Sequence, residues 1–199
     1  MSQTSPTTLS DRVRQLSKGL LHPIAAQLNA WGVHPDVITV IGTLLVGVAA
    51  IFIAQGAFLV AGIIFLLGIP LDALDGAVAR LRGSLRPFGA FLDSTLDRYA
   101  DGFLFGAFAL YGMRQNEEII MLLALASLIG AFLISYTRAR AEGLGLKCSI
   151  GLFSRFERTI ALLILLLTGW VLPLLIILAV GTHFTALQRI WYVHRLTNV

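Results

Sequence analysis

The sequence predicts an all-α integral membrane protein, with six transmembrane helices preceded by an N-terminal interfacial amphipathic helix. Three observations predict it. Of 199 residues, 57% are apolar and 13% charged, with a mean hydropathy of +0.83, whereas a soluble domain carries about 25% charged residues. The apolar residues gather in runs long enough to approach a hydrocarbon core of about 30 Å. The cations concentrate in alternate connecting segments, as the positive-inside rule requires. A soluble fold is excluded on these grounds.

Residues 1–10 are polar and rich in Ser and Thr, so they read as a disordered N-terminus. They lack the apolar run of a cleavable signal peptide. Residues 11–31 set Arg12, Arg14 and Lys18 against Val13, Leu16, Leu20, Leu21, Ile24 and Leu28. That pattern is amphipathic and too polar to span; Trp31 suits the headgroup level. Residues 32–199 are expected to form one six-helix domain. Pro35 and Asp36 mark a helix start, and spans are expected over 37–53, 58–74, 88–111, 119–136, 154–168 and 171–191. Gln55-Gly56 supplies the first turn. Ser154-x-x-Glu157 has the form of a capping box.

The apolar run 159–180 reads as one span or as two broken between Gly169 and Pro173. Charge favours two. Three cations precede span 1, four lie at or near the 2–3 loop, and five lie between Arg138 and Arg158. These segments belong on the cytoplasmic side. Arg189 and Arg195 want that side as well, which requires an even number of spans. The expected location is the cell membrane, inner or plasma, with both termini and the active site cytoplasmic. The lone Cys148 excludes an internal disulfide, and the four histidines show no metal-ligand spacing. Gly102-x-x-x-Gly106 on span 3 is a small-residue pair expected to pack inside the bundle, with a dimer face as the alternative.

The chemistry concentrates in residues 72–97, DALDGAVARLRGSLRPFGAFLDSTLD. A carboxylate at membrane depth costs roughly 2.5–3.5 kcal/mol on insertion scales. Four in one stretch require a compensating partner. On a helix, Asp72 and Asp75 share a face at i and i+3, and Asp93 and Asp97 share one at i and i+4. Residues 81–87 carry Gly83 and Pro87 and read as the turn between two antiparallel helices. Four carboxylates then point at one place, and hard oxygen ligands suit Mg²⁺, with Mn²⁺ as the alternative.

The same stretch meets every fixed position of D-x2-D-G-x2-A-R-x8-G-x3-D-x3-D: Asp72, Asp75, Gly76, Ala79, Arg80, Gly89, Asp93 and Asp97. It resembles the signature of the CDP-alcohol phosphotransferase family. The resemblance implies two divalent ions held by Asp72, Asp75, Asp93 and Asp97, with Asp97 also the general base. It implies a CDP-linked lipid such as CDP-diacylglycerol as donor, held near Asp72, Gly76, Ala79, Arg80 and Gly89, in a homodimeric membrane enzyme surrounded by lipid. Relatives often carry Pro-Asn-x-x-Thr before span 1, and Pro35-Asp36-Val37-Ile38-Thr39 stands there, which makes Thr39 a further nucleotide contact. Nucleic acid is not an expected partner.

The acceptor is read from Ser135-Tyr136-Thr137-Arg138-Ala139-Arg140-Ala141-Glu142 and the later Arg155-x-x-Arg158. Several arginines suit a phosphorylated acceptor, because arginine pairs bidentately with phosphate. The stretch resembles phosphatidylinositol-phosphate synthases of bacteria and their archaeal counterparts. That resemblance implies inositol 1-phosphate as acceptor, with CMP released; Arg138, Arg155 and Arg195, at the cytoplasmic ends of spans 4, 5 and 6, are the residues expected on its phosphate. Glycerol 3-phosphate, giving phosphatidylglycerophosphate, is the alternative within the family. A transporter or binding bundle is the alternative from another class, because intramembrane carboxylates also mark ion pathways; no inverted repeat supports it.

Overall fold

The structure is a computed structural model and describes residues 21–83 and 87–197. The expected disordered N-terminus, residues 11–20 of the expected amphipathic helix and residues 84–86 of the expected turn lie outside the described residues. Those described form helices and connecting turns, with no strand among them. In chain order the helices are α1 (21–30), α2 (Pro35–Ala54), α3 (Phe58–Leu81), α4 (Pro87–Arg114), α5 (Glu118–Glu142), α6 (Arg155–Thr168) and α7 (Val171–Thr197).

Local chemistry sets the boundaries. Pro35 opens α2 where its missing N–H costs nothing, and His34 caps it, with Nδ1 accepting from the Asp36 N–H at 3.3 Å. The run 159–180 does break, because Gly169 ends α6 in the left-handed region at φ 71°. Ser154 is the N-cap of α6, but the expected capping box does not close: its hydroxyl bonds the Glu157 carboxylate instead of a backbone N–H. α3 runs unbroken from its apolar half through Pro70 to Leu81, and α5 continues past the expected end at 136 to Glu142.

Four helices are long and apolar enough to cross a membrane: α2, α3, α5 and α7. The other two expected spans fall short of that measure for separate reasons. α4 carries Asp93, Asp97, Arg98 and Asp101 between its start and its middle turn. α6 has only 14 residues, or about 21 Å at 1.5 Å per residue. Outward-facing residues such as Leu59, Leu67, Leu122, Val180 and Leu187 are each at least 56% exposed, which suits a lipid-facing exterior.

Short turns make α2–α3, α4–α5 and α6–α7 antiparallel neighbours. The ends that meet at 55–57, 115–117 and 169–170 therefore lie together, where Arg114 Nη1 donates to the Ala54 carbonyl at 3.0 Å. The opposite ends gather the polar residues. The core between is built on Phe65, Phe105, Phe108, Leu162, Leu165 and Leu175. Glycines let helices close where larger residues would collide. A Cβ at Gly62 would sit 3.0–3.1 Å from Leu167 and Leu166, and one at Gly130 would overlap Thr182. Gly102 and Gly106 do not act this way: a Cβ at either would meet nothing within 4 Å. Their expected close packing inside the bundle is corrected, because among the described residues no neighbour comes within contact of a Cβ at either position. A second cluster seats α1 on the polar end of α3, with Ala25, Ile38, Leu74 and Val78 buried together and Arg82 Nε donating to Asn29 Oδ1 at 2.9 Å.

Candidate active site

Asp72 and Asp75 stand one turn apart on α3, and Asp93 and Asp97 one turn apart on α4. Oxygen atoms of Asp72, Asp75 and Asp93 all lie within 4.8 Å of one another. Two oxygens on opposite sides of an octahedral Mg²⁺ are about 4.2 Å apart, so the trio fits a small cation after slight closure. The donors are all carboxylate, which favours a hard ion. Asp97 lies outside that trio and is linked to it by an arginine. Arg155 Nη2, from the first turn of α6, is 2.7 Å from Asp72 Oδ1 and 2.6 Å from Asp97 Oδ1.

A polar frame fixes these groups. Thr39 Oγ1 donates to Asp75 Oδ2 at 2.7 Å, which pins a buried carboxylate from α2. Arg98 bonds Ser135 on α5 and lies 3.4 Å from Asp97 Oδ2. One turn beyond Asp97, Asp101 meets Arg158 Nη2 at 3.3 Å. Both partners are buried, and Arg158 Nη1 also donates to the Ala131 carbonyl at 3.4 Å. This pair ties α4, α5 and α6 together beneath the carboxylates. Arg158 Nε is buried with no hydrogen-bond partner among the described residues.

Two cavities meet at the cluster. The larger, about 1580 Å³, runs between α4 and α5 and ends on the start of α6 and Arg189 of α7. Its lining includes the cations Arg98, Arg138, Arg155, Arg158 and Arg189 and the aromatic residues Phe91, Phe103 and Phe132. The smaller, about 610 Å³, lies among α2, α3, α4 and α6 and includes Thr39, Asp72 and Asp75. Asp97, Ser154, Arg155 and Arg158 line both. One cavity is rich in fixed cations and the other in carboxylates, with a shared wall between them. Such an arrangement can bring a phosphorylated molecule and a metal-bound diphosphate face to face.

The family model of the CDP-alcohol phosphatidyltransferases matches residues 32–188. The chain belongs to this family. As a CDP-alcohol phosphatidyltransferase it is a multi-pass membrane transferase of phospholipid biosynthesis, and the family is divalent-metal dependent. It is 35% identical to the phosphatidylinositol phosphate synthase of Streptomyces avermitilis, over 94% of this chain and 83% of that one. It is 33% identical to the archaetidylinositol phosphate synthase of Methanothermobacter thermautotrophicus, over 94% of each. Its fold matches that of the Mycobacterium tuberculosis phosphatidylinositol phosphate synthase with CDP-DAG bound, at TM-score 0.80 and 32% identity, covering 85% of this chain and 91% of that one. The same mycobacterial protein in complex with manganese and citrate matches at TM-score 0.74 and 30% identity, covering 86% and 88%.

Within this transferase, the expected site residues fall into three groups. Asp72, Asp75, Asp93, Asp97, Thr39 and Arg155 come together at the cluster. Gly76, Ala79, Arg80 and Gly89 stand beside the aspartates on α3 and α4 and line neither cavity. The Arg80 guanidinium folds over Gly76, 3.3 Å from where a Cβ would be, and a Cβ at Gly89 would face Asp36 Oδ1 at 3.5 Å. Arg138 lines the larger cavity and pairs with Glu142 at 2.8 Å. Arg195 stands apart: its guanidinium lies 3.8 Å over the Trp191 ring, and it lines neither cavity. The residue that α7 does bring in is Arg189, six positions earlier, which donates to the Ile134 and Ile150 carbonyls. The sequence signal for Arg189 is its place at i+7 on the stripe of small residues Thr182, Thr185 and Ala186, all of them buried.

Proposed function

We propose that the chain transfers a phosphatidyl group from a CDP-linked lipid, CDP-diacylglycerol, to a hydroxyl of inositol 1-phosphate, releasing CMP. The observation that carries this reading is the position of Asp97 and Arg155 on the shared wall of a carboxylate cavity and an arginine cavity. Relatives named for inositol phosphate products support the choice of acceptor.

Asp72, Asp75 and Asp93 would hold divalent metal, with Asp97 completing a two-ion site, and Thr39 orients Asp75. When bound, such ions neutralise diphosphate charge and stabilise the leaving oxygen. Gly76 and Gly89 leave room for the cytidine and ribose to approach α3 and α4, Ala79 is small for the same reason, and Arg80 reaches the diphosphate as a fixed cation. In the larger cavity, Arg138, Arg155, Arg158 and Arg189 bind the acceptor phosphate and turn its free hydroxyl toward Asp97. Asp97 takes the hydroxyl proton as the acceptor oxygen attacks the lipid-side phosphorus. The bond from that phosphorus to the CMP oxygen breaks, and CMP leaves. Catalysis here rests on positioning and charge neutralisation.

The same reading makes α2 to α7 six spans, with α1 at the interface and the site on the cytoplasmic side. The support is charge: the cations cluster at the polar ends of the helices, and the opposite ends carry only Arg114. Residues 32–199 act as one domain, and two chains pair as in the expected homodimer.

The test is CMP release from CDP-diacylglycerol by detergent-purified protein with Mg²⁺, offered inositol 1-phosphate or glycerol 3-phosphate. Turnover with inositol 1-phosphate alone is expected. Turnover with glycerol 3-phosphate alone overturns the acceptor and keeps the mechanism. No turnover with either removes the phosphorylated-acceptor reading.

A further inference from the structure

The segment between α5 and α6 has no helix over 143–154, yet it delivers Arg155 and Arg158 to the site. Its path is set from α7. The Phe153 N–H donates to Thr185 Oγ1 at 2.9 Å, and the Leu152 N–H donates to Gln188 Oε1 at 3.1 Å. Arg189 Nε donates to the Ile150 carbonyl at 2.8 Å. Between these contacts Gly151 holds φ +145°, and a Cβ there would collide with the Thr185 methyl. The Phe153 ring lies against Gly181, where a Cβ would sit 2.8 Å from the ring. Positions 181, 185, 188 and 189 form one stripe of α7 at i, i+4, i+7 and i+8. That stripe binds the loop backbone up to the residue before the N-cap Ser154. Thr185 is fully buried, and neither Thr185 nor Gln188 lines either cavity.

We infer that Thr185 and Gln188 are positioning residues for the acceptor half of the reaction. They fix the register of residues 150–153, and so where Arg155 and Arg158 stand relative to Asp97. The inference rests on the acceptor reading above, because it acts through those arginines. A loop held at fewer points has more conformations, and binding must then order them. The cost falls on acceptor affinity. The donor contacts Thr39, Asp72 and Asp75 stand on α2 and α3, which the loop does not carry; the contact from Arg155 to the half-exposed Asp72 links them to it.

Steady-state kinetics of wild type, Thr185→Val, Thr185→Ser, Gln188→Ala and the Val/Ala double variant test it. Valine keeps the shape of threonine and removes the oxygen that accepts from Phe153. Loss of one such hydrogen bond is expected to raise the KM for inositol 1-phosphate about fivefold. The kcat and the KM for CDP-diacylglycerol should stay within about twofold, and Thr185→Ser should restore the wild-type values. An unchanged acceptor KM in the double variant overturns the inference, and so does a parallel loss across all three parameters. If the double variant does not accumulate, Gln188→Ala decides alone, since that side chain is only half-buried. Wild type that uses only glycerol 3-phosphate overturns the acceptor reading, and the same KM split is then read with that acceptor.

Discussion

Arg155 Nη2 lies 2.6 Å from Asp97 Oδ1, and the same nitrogen lies 2.7 Å from Asp72 Oδ1. A cation of the protein thus bridges carboxylates from two helices at the wall between the cavities. In the proposed site, divalent metal and this guanidinium would compete for the same oxygens. Arg155→Gln is therefore expected to tighten Mn²⁺ binding about three- to tenfold, as expected from removing one partly exposed ion-pair partner. Turnover with the phosphorylated acceptor should fall at the same time. Calorimetric titration with Mn²⁺ alone reads the first effect without catalysis. Weaker metal binding in the variant would show that Arg155 supports the site instead of competing with it.

Asp75 and Asp93 converge with Asp72 from different helices, so each should matter separately. Asp75→Asn and Asp93→Asn are each expected to lower CMP release at least about a hundredfold, because a ligand is lost outright where loss of a supporting contact costs about 10–100-fold. Either variant retaining more than a tenth of wild-type turnover at saturating Mg²⁺ would remove that residue from the metal set.

The Thr39 hydroxyl donates to Asp75 at 2.7 Å. Thr39→Val should weaken Mn²⁺ binding about tenfold and leave the acceptor KM unchanged. Thr39→Ser should behave as wild type. If Thr39→Val instead raises only the KM for the CDP-lipid, the threonine contacts nucleotide directly.

Asp101 and Arg158 form a buried pair with one guanidinium nitrogen already lacking a partner. Removing one member of such a pair costs about 3–5 kcal/mol. Asp101→Ala is expected to lower the Tm in detergent by several degrees, whereas Arg155→Gln, at the exposed rim, should not. Equal Tm values for Asp101→Ala and wild type would mean that water already solvates Arg158.

Arg189 and Arg195 separate two expectations of α7. Arg189→Ala should raise the acceptor KM at least about tenfold, as expected for a charged hydrogen-bonding partner worth about 1.5–3 kcal/mol. Arg195→Ala should leave it within twofold. The reverse order would return Arg195 to the site.

The aspartates were legible because helical periodicity is local. Spacings of three and four residues place Asp72 with Asp75 and Asp93 with Asp97 whatever the rest of the chain does. The break in the run 159–180 was legible for the same reason, since Gly169 needs only its own backbone to end α6. The arginines were not. Charge and topology put both Arg189 and Arg195 at one end of α7, but only the rotation of α7 against α5 decides that Arg189 faces inward. The bridge from Arg155 to Asp72 joins residues 83 positions apart, and no spacing rule reaches that far. The glycine pair on α4 misled because the small-residue pattern says that something can approach, not that a helix of the same chain does.

The brevity of α6 has a mechanical consequence. A helix of 14 residues rises about 21 Å, about 9 Å less than a typical hydrocarbon core. In the proposed six-span arrangement, with Gly169 at the far interface, Arg155 would start below the level of the surrounding headgroups. The bilayer would then thin beside α6, at a fraction of a kcal/mol per Å, and water would follow the arginines inward. A polar acceptor would descend into this dimple from solution, while the lipid donor would keep its tails at their natural depth. Bilayer thickness becomes a variable of the reaction rate: shorter-chain lipids relax the elastic strain around α6, and longer-chain lipids increase it.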